Sequence, residues 1–119
     1  MWTYTQMRGT LTHDGVFEGT GYSGHNAGLN NPAMEANRGV GPIPRGLWKM
    51  GPWYDHPHLG PCVSLLSSIG HNAHGRTEIF IHGDNSQGNQ SASHGCVILG
   101  RVLRHLVRDS ADTSLTVTR

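Results

Sequence analysis

A single segment of this chain repeats its apolar side chains with a helical period. Leu99, Val102, Leu103, Leu106 and Val107 fall at i, i+3, i+4, i+7 and i+8, with Arg101, Arg104, His105 and Arg108 on the opposite face. The spacing predicts one amphipathic helix that begins near Ile98 or Leu99, ends by Ser110 and buries its apolar side. Every other patterned run is short. Trp2 to Thr5, Thr10 to Thr12 and Val16 to Tyr22 read as a β-meander turned at His13-Asp14-Gly15. Leu47 to Met50, Cys62 to Leu66, Thr77 to His82 and Leu115 to Thr118 read as further strands. With 17 Gly and only 35% apolar residues among 119, the composition suits short strands and tight turns. The expectation is one mainly β domain over residues 1–119, with a single helix packed on a sheet.

Residues 23–45 keep no period. They are rich in Asn, Gly and Pro and end in Gly41-Pro42-Ile43-Pro44-Arg45-Gly46. A loop of this length is either a substrate-covering element or a surface connection, and the pattern alone favours neither. Nine basic residues against eight acidic ones, with no basic block, exclude a nucleic-acid grip or an anionic-lipid surface. No apolar run is long enough for membrane insertion. The opening Met1-Trp2-Thr3-Tyr4-Thr5 has neither a basic nor an apolar leader segment. Synthesis in the cytoplasm without a signal peptide is therefore expected.

Chemistry concentrates in Ile81-His82-Gly83-Asp84-Asn85 and Ser91-Ala92-Ser93-His94-Gly95-Cys96-Val97-Ile98-Leu99. In the strand 77–82, Thr77, Ile79 and Ile81 share one face, and Glu78, Phe80 and His82 the other. His82 thus ends a strand just before a turn, where rigid scaffolds present reactive groups. A thiol attacks as its thiolate and needs a base or a positive field. His82 and His94 are candidate bases. The predicted helix, two or three residues past Cys96, offers its N-terminal dipole. Gly95 lets a carbonyl approach, so the N–H groups of Gly95 and Cys96 are candidate oxyanion donors.

The pairing of a strand-terminal His-Gly with a downstream Ser-His-Gly-Cys resembles the L,D-transpeptidase signature. Together with Gly21-Tyr22-Ser23-Gly24 and Gly41-Pro42-Ile43-Pro44-Arg45-Gly46, it resembles more closely the small L,D-transpeptidase-like effectors of bacterial type VI secretion. The resemblance spans nearly the whole chain and implies an L,D-transpeptidase-like β-sandwich or barrel. It implies that Cys96 is acylated, that His82 takes its proton, that the Gly83 carbonyl orients the imidazole, and that the turn through His94 and Gly95 forms the oxyanion site. Tyr22, Ser23, Asp84 and Ser93 would contact substrate. The substrate implied is a peptidoglycan stem tetrapeptide, cut between its third-position diamino acid and D-alanine by L,D-carboxypeptidase action, or exchanged by transpeptidation. No cofactor is implied. A dedicated secretion apparatus, action in the target-cell periplasm and a cognate immunity protein are. Two departures favour the compact effector branch over ordinary wall cross-linking. The Arg common two places after the Cys is Ile98 here, and only residues 83–95 separate His82 from Cys96.

Nine histidines raise zinc as a rival, through His71 and His74 above all. No His-Glu-x-x-His and no clustered ligand set completes such a site, so no metal is expected. Cys62 reads as a packed strand residue rather than a bridge to Cys96, which would remove the nucleophile. Trp48, Trp53 and Tyr54 suit a peptide groove or the core equally. Two other functions stay open: a different Cys-His peptidoglycan amidase or endopeptidase, which usually places Cys before His, and a non-catalytic wall-binding module.

Overall fold

The computed structural model describes residues 1–87 and 92–119. In β1 (Trp2–Thr5) the alternation does what it predicts, burying Trp2 and Tyr4 and leaving Thr3 and Thr5 half-buried. β2 (Thr10–His13) and β3 (Val16–Thr20) complete the meander. β3 stops short of the expected Tyr22. Gly21 breaks the run, and Tyr22–Ser23 becomes a separate strand, β4, on another part of the sheet. A Cβ at Gly21 would lie 2.0 Å from the Ile98 carbonyl oxygen, so only glycine lets the chain cross there.

β5 (Gly46–Met50), β6 (Tyr54–His56), β7 (Gly60–Ile69), β8 (Ile79–His82) and β9 (Val97–Ile98) follow, then α1 (Arg101–Asp109) and β10 (Ser114–Thr118). The sequence reading missed β6 and half of β7. Among the described residues the sheet runs β3-β2-β1-β10-β5-β7-β8-β9-β4, with β6 beside β7. Its two end strands, β3 and β4, are joined through Gly21 alone, so the sheet nearly closes into a barrel. β10 lies inside it, parallel to β1 and antiparallel to β5. Leu115 and Val117 thereby join Trp2, Tyr4, Trp48, Ile79, Ile81 and Val97 in one core. Trp48 is core, with its indole N–H on the Pro44 carbonyl, and Tyr54 is exposed.

The helix is present but rotated from its expected face. Val102 is 81% exposed and Leu106 41%, whereas Arg104 is buried beside Val107. Its guanidinium Nη1 donates to the Leu99 carbonyl at 2.7 Å. A Cβ on Gly83 would meet that same nitrogen at 2.5 Å. Leu103 fits over the bare backbone of Gly19, and these contacts fix a rotation different from the one the periodicity predicts. No helix of the described residues is long and apolar enough to cross a membrane.

Candidate active site

β8 and β9 are parallel neighbours, with Ile81 opposite Val97 and His82 opposite Ile98. Side chains paired in this way share a face of the sheet. Ile79, Ile81 and Val97 point into the core, so Phe80, His82, Ile98 and, one step before β9, Cys96 share the other face. His82 and Cys96 are thus diagonal neighbours on one face of two adjacent strands. The Phe80 N–H donates to the Cys96 sulfur at 3.3 Å, and the thiol reaches the Glu78 carbonyl at 3.9 Å. Among the described residues no hydrogen bond joins the thiol to His82. Such contacts often tighten only when substrate is bound.

The His82 ring is 4% exposed, and its Nδ1 lies 2.8 Å from the Gly83 carbonyl oxygen. A carbonyl only accepts, so in the neutral ring Nδ1 carries the proton and Nε2 is left as the base. Burial pushes the imidazole below its usual range; the Gly83 bond opposes this, and the Arg104 charge adds to it. Burial pushes the Cys96 thiol up, while the Phe80 N–H and the Arg76 charge pull it down. Both shifts favour a neutral imidazole and a protonated thiol.

The positive field at the thiol has a different source from the one expected. α1 begins at Arg101, beyond β9 and an exposed Gly100 N-cap, later than the expected start at Ile98 or Leu99. Its N-terminus is one strand removed from Cys96. Arg76 stands closer. This buried side chain donates to the carbonyls of Glu35 (2.7 Å), Pro42 (2.6 Å), Gly41 (2.9 Å) and His94 (3.3 Å). The stretch 23–45 is consequently pinned. Gly41 to Pro44 are buried, and Glu35 takes hydrogen bonds from Gln6 and Arg45. Partial burial works to raise the Glu35 carboxyl, but the Arg45 bonds prevail and hold it at about 2.

Two of the residues expected to touch substrate are enclosed. Ser93 is fully buried. Its hydroxyl accepts from the Gly24 and Gly95 N–H groups and donates to the Cys96 carbonyl. Ser23, also fully buried, accepts from the Ile43 N–H and donates to the Gly95 carbonyl. Both brace the turn from within. The Gly95 N–H, expected to serve an oxyanion, is thereby committed to Ser93. Tyr22 is buried as well. It donates to Asp84 at 2.8 Å and accepts from the Ala92 N–H, and burial first, then the Asp84 bond, push its phenol up to about 12. Asp84 stays exposed. Ser91, the first residue of the quoted motif, lies outside the described residues.

Two cavities flank the pair. One of about 180 Å³ opens on Cys96 and is lined by Arg38, Arg76, Glu78 and His94 among others. The other, about 190 Å³, borders His82 with His58, Gly83 and Asp84. His94 is exposed, with Nδ1 3.1 Å from the Gly39 carbonyl oxygen. The sequence reading missed Arg38, Arg76, Glu78 and Arg104. Nothing local marks them, since the three arginines are held by backbone carbonyls that fold against them and Glu78 only lines the Cys96 cavity. The His71 ring lies on the Leu47 carbonyl and against Trp48. Among the described residues the one cluster with ligand-type spacing is His13, Asp14 and Asp112, whose carboxylates already pair with the Met1 amine.

The nearly closed β-sheet thus carries a Cys and a carbonyl-oriented His on one face of adjacent parallel strands. The Tlde1 domain matches residues 18–115, and the chain belongs to that family of type VI secretion L,D-transpeptidase effectors. Membership implies a secreted, peptidoglycan-modifying, transpeptidase-like enzyme that acts in the periplasm. No curated protein matches the chain.

Proposed function

We propose that this chain is a Cys-dependent L,D-carboxypeptidase and L,D-transpeptidase acting on stem tetrapeptides. The observation that carries the reading is a Cys96 and a His82 on one face of adjacent parallel strands, with the imidazole Nδ1 engaged by the Gly83 carbonyl so that Nε2 is left as the base. In the proposed cycle His82 takes the thiol proton as sulfur adds to the third-residue carbonyl. The backbone N–H of Cys96 receives the oxyanion. The C–N bond then breaks, D-alanine leaves with the proton from His82, and a thioester remains. Water resolves it to tripeptide; a D-amino acid or another stem's amine resolves it to an exchanged or cross-linked product. Asp84, which is exposed and lines the His82 cavity, would receive a substrate amine. A cognate immunity protein in the producing cell completes the proposal.

The test is mass analysis of purified disaccharide-tetrapeptide after incubation. Tripeptide should accumulate alone, and millimolar D-methionine should divert it to a new tetrapeptide at the tripeptide's expense, because both come from one thioester. Tripeptide formed at an unchanged rate with no exchange product would sink the covalent reading. Release of the whole stem from the sugar would give the function to an amidase.

The pH dependence follows from the shifts of this pair, which favour its neutral form. His82 is depressed below 6.5, so the base is already free at neutral pH and the acidic limb of kcat/KM should fall below 6.5. The Cys96 thiol is raised above 9.0, so alkylation by iodoacetamide should keep climbing past pH 9. An alkylation rate already at its plateau by pH 7 would mean a thiolate–imidazolium pair instead.

A further inference from the structure

Arg76 is 7% exposed, and among the described residues its guanidinium bonds only backbone carbonyls and pairs with no carboxylate. The Glu35 carboxylate is engaged by Arg45 and Gln6, and from Glu35 Arg76 meets the backbone carbonyl instead. A buried guanidinium facing neutral carbonyls is costly, and a Gln or Met could fill such a place more cheaply. Its position explains the cost. The side chain lines the Cys96 cavity, and a Cβ on Gly95 would lie 1.9 Å from its Nη2. The other charged or titratable groups facing the thiol are Arg38, Glu78 and His94 in that cavity, and His82 on the same sheet face. Arg38 is exposed and tied to the Gly75 carbonyl at 2.8 Å, and Glu78 is exposed. Arg76 is the cation among them held on several sides.

We propose that Arg76 is a positioning residue of this site with two roles. Its guanidinium clamps the Gly41-Pro42 segment to the His94-Gly95 turn, and it supplies the fixed positive charge that the Cys96 thiolate meets when its proton leaves. The clamp needs the forked donors of an arginine; the charge needs only a cation. The two roles therefore separate by substitution. The catalytic arm below rests on the function proposed above, whereas the alkylation arm uses no substrate.

The experiment compares R76M and R76K in a Cys62→Ser background, so that Cys96 is the one reacting thiol. Iodoacetamide adducts are followed by intact mass across pH, and tetrapeptide turnover is measured alongside. At pH 8, R76M should alkylate about tenfold more slowly, as an upward shift of about one pH unit in thiol ionisation requires. R76K, which keeps the charge, should stay within about threefold of the parent. Turnover should fall at least about tenfold in both, because lysine cannot bridge the two segments. A folded R76M with the parent's alkylation profile would overturn the electrostatic role, and R76K with the parent's turnover would overturn the clamp. If R76M does not fold, R76K decides: lost turnover with a preserved alkylation profile supports the proposal, and parental turnover overturns it. If the parent itself turns over no tetrapeptide, the functional reading fails and the alkylation arm still decides the role of Arg76.

Discussion

Cys96→Ala and His82→Ala should each lower kcat/KM on stem tetrapeptides by at least about a thousandfold, while Cys62→Ser keeps most of the activity. Nucleophile and base act as a unit, so removing either forfeits nearly all of the covalent route. Cys62 has no comparable setting. It is buried on β7, its N–H donates to Asp55, and its sulfur lies 3.9 Å from Arg108. His94 is the informative control because it shares the Cys96 cavity and, with Nδ1 facing the Gly39 carbonyl, also presents a free Nε2. It is exposed and lies outside the β8 face that carries His82, so His94→Gln should fall by no more than about tenfold. Full loss in His94→Gln, with activity left in His82→Ala, would transfer the base to His94. An active Cys96→Ala beside a dead Cys62→Ser would move the nucleophile.

Gly95→Ala should also cost much of the activity without touching a reacting atom. Gly95 has φ +129°, a conformation that L side chains rarely adopt, and an added methyl would sit 1.9 Å from Arg76 Nη2 and 3.5 Å from the Gly41 carbonyl oxygen. The guanidinium would have to leave at least one of its carbonyls, and the turn that sets Cys96 would shift with it. We expect turnover to drop about a hundredfold and stability by roughly 1–3 kcal/mol. Gly15→Ala isolates the strain, since Gly15 has φ +85° with nothing within 4 Å of the added carbon. It should lower Tm and leave kcat/KM unchanged. If Gly95→Ala lost only stability and kept its turnover, the crowding argument would be wrong.

The strands that line the core were legible because alternation is a local property. Trp2 and Tyr4, Ile79 and Ile81, Leu115 and Val117 each obey it and each are buried. β4 was not legible as a separate strand, because what breaks Val16 to Tyr22 is the approach of the Ile98 carbonyl to Gly21, a contact made across the sheet. The rotation of α1 was hidden in the same way. Its pattern promised Val102 inward, and the buried guanidinium of Arg104 turned it out.

The site divides along the same line. Sequence by itself determined the mainly β character, the single helix, and the candidates Cys96 and His82, because residue type and strand-end position are written along the chain. The orienting Gly83 carbonyl came only from the family resemblance. Tertiary structure alone decided what surrounds them. It turned Ser23, Ser93 and Tyr22 inward as braces, moved the helix N-terminus a strand away from the thiol, and brought Arg76 from before β8 to the backbone of residues 35, 41, 42 and 94. The physical reason is that an arginine satisfied by backbone carbonyls needs no partner side chain. Its role has no complementary residue to find in the sequence and exists only once the chain has closed around it.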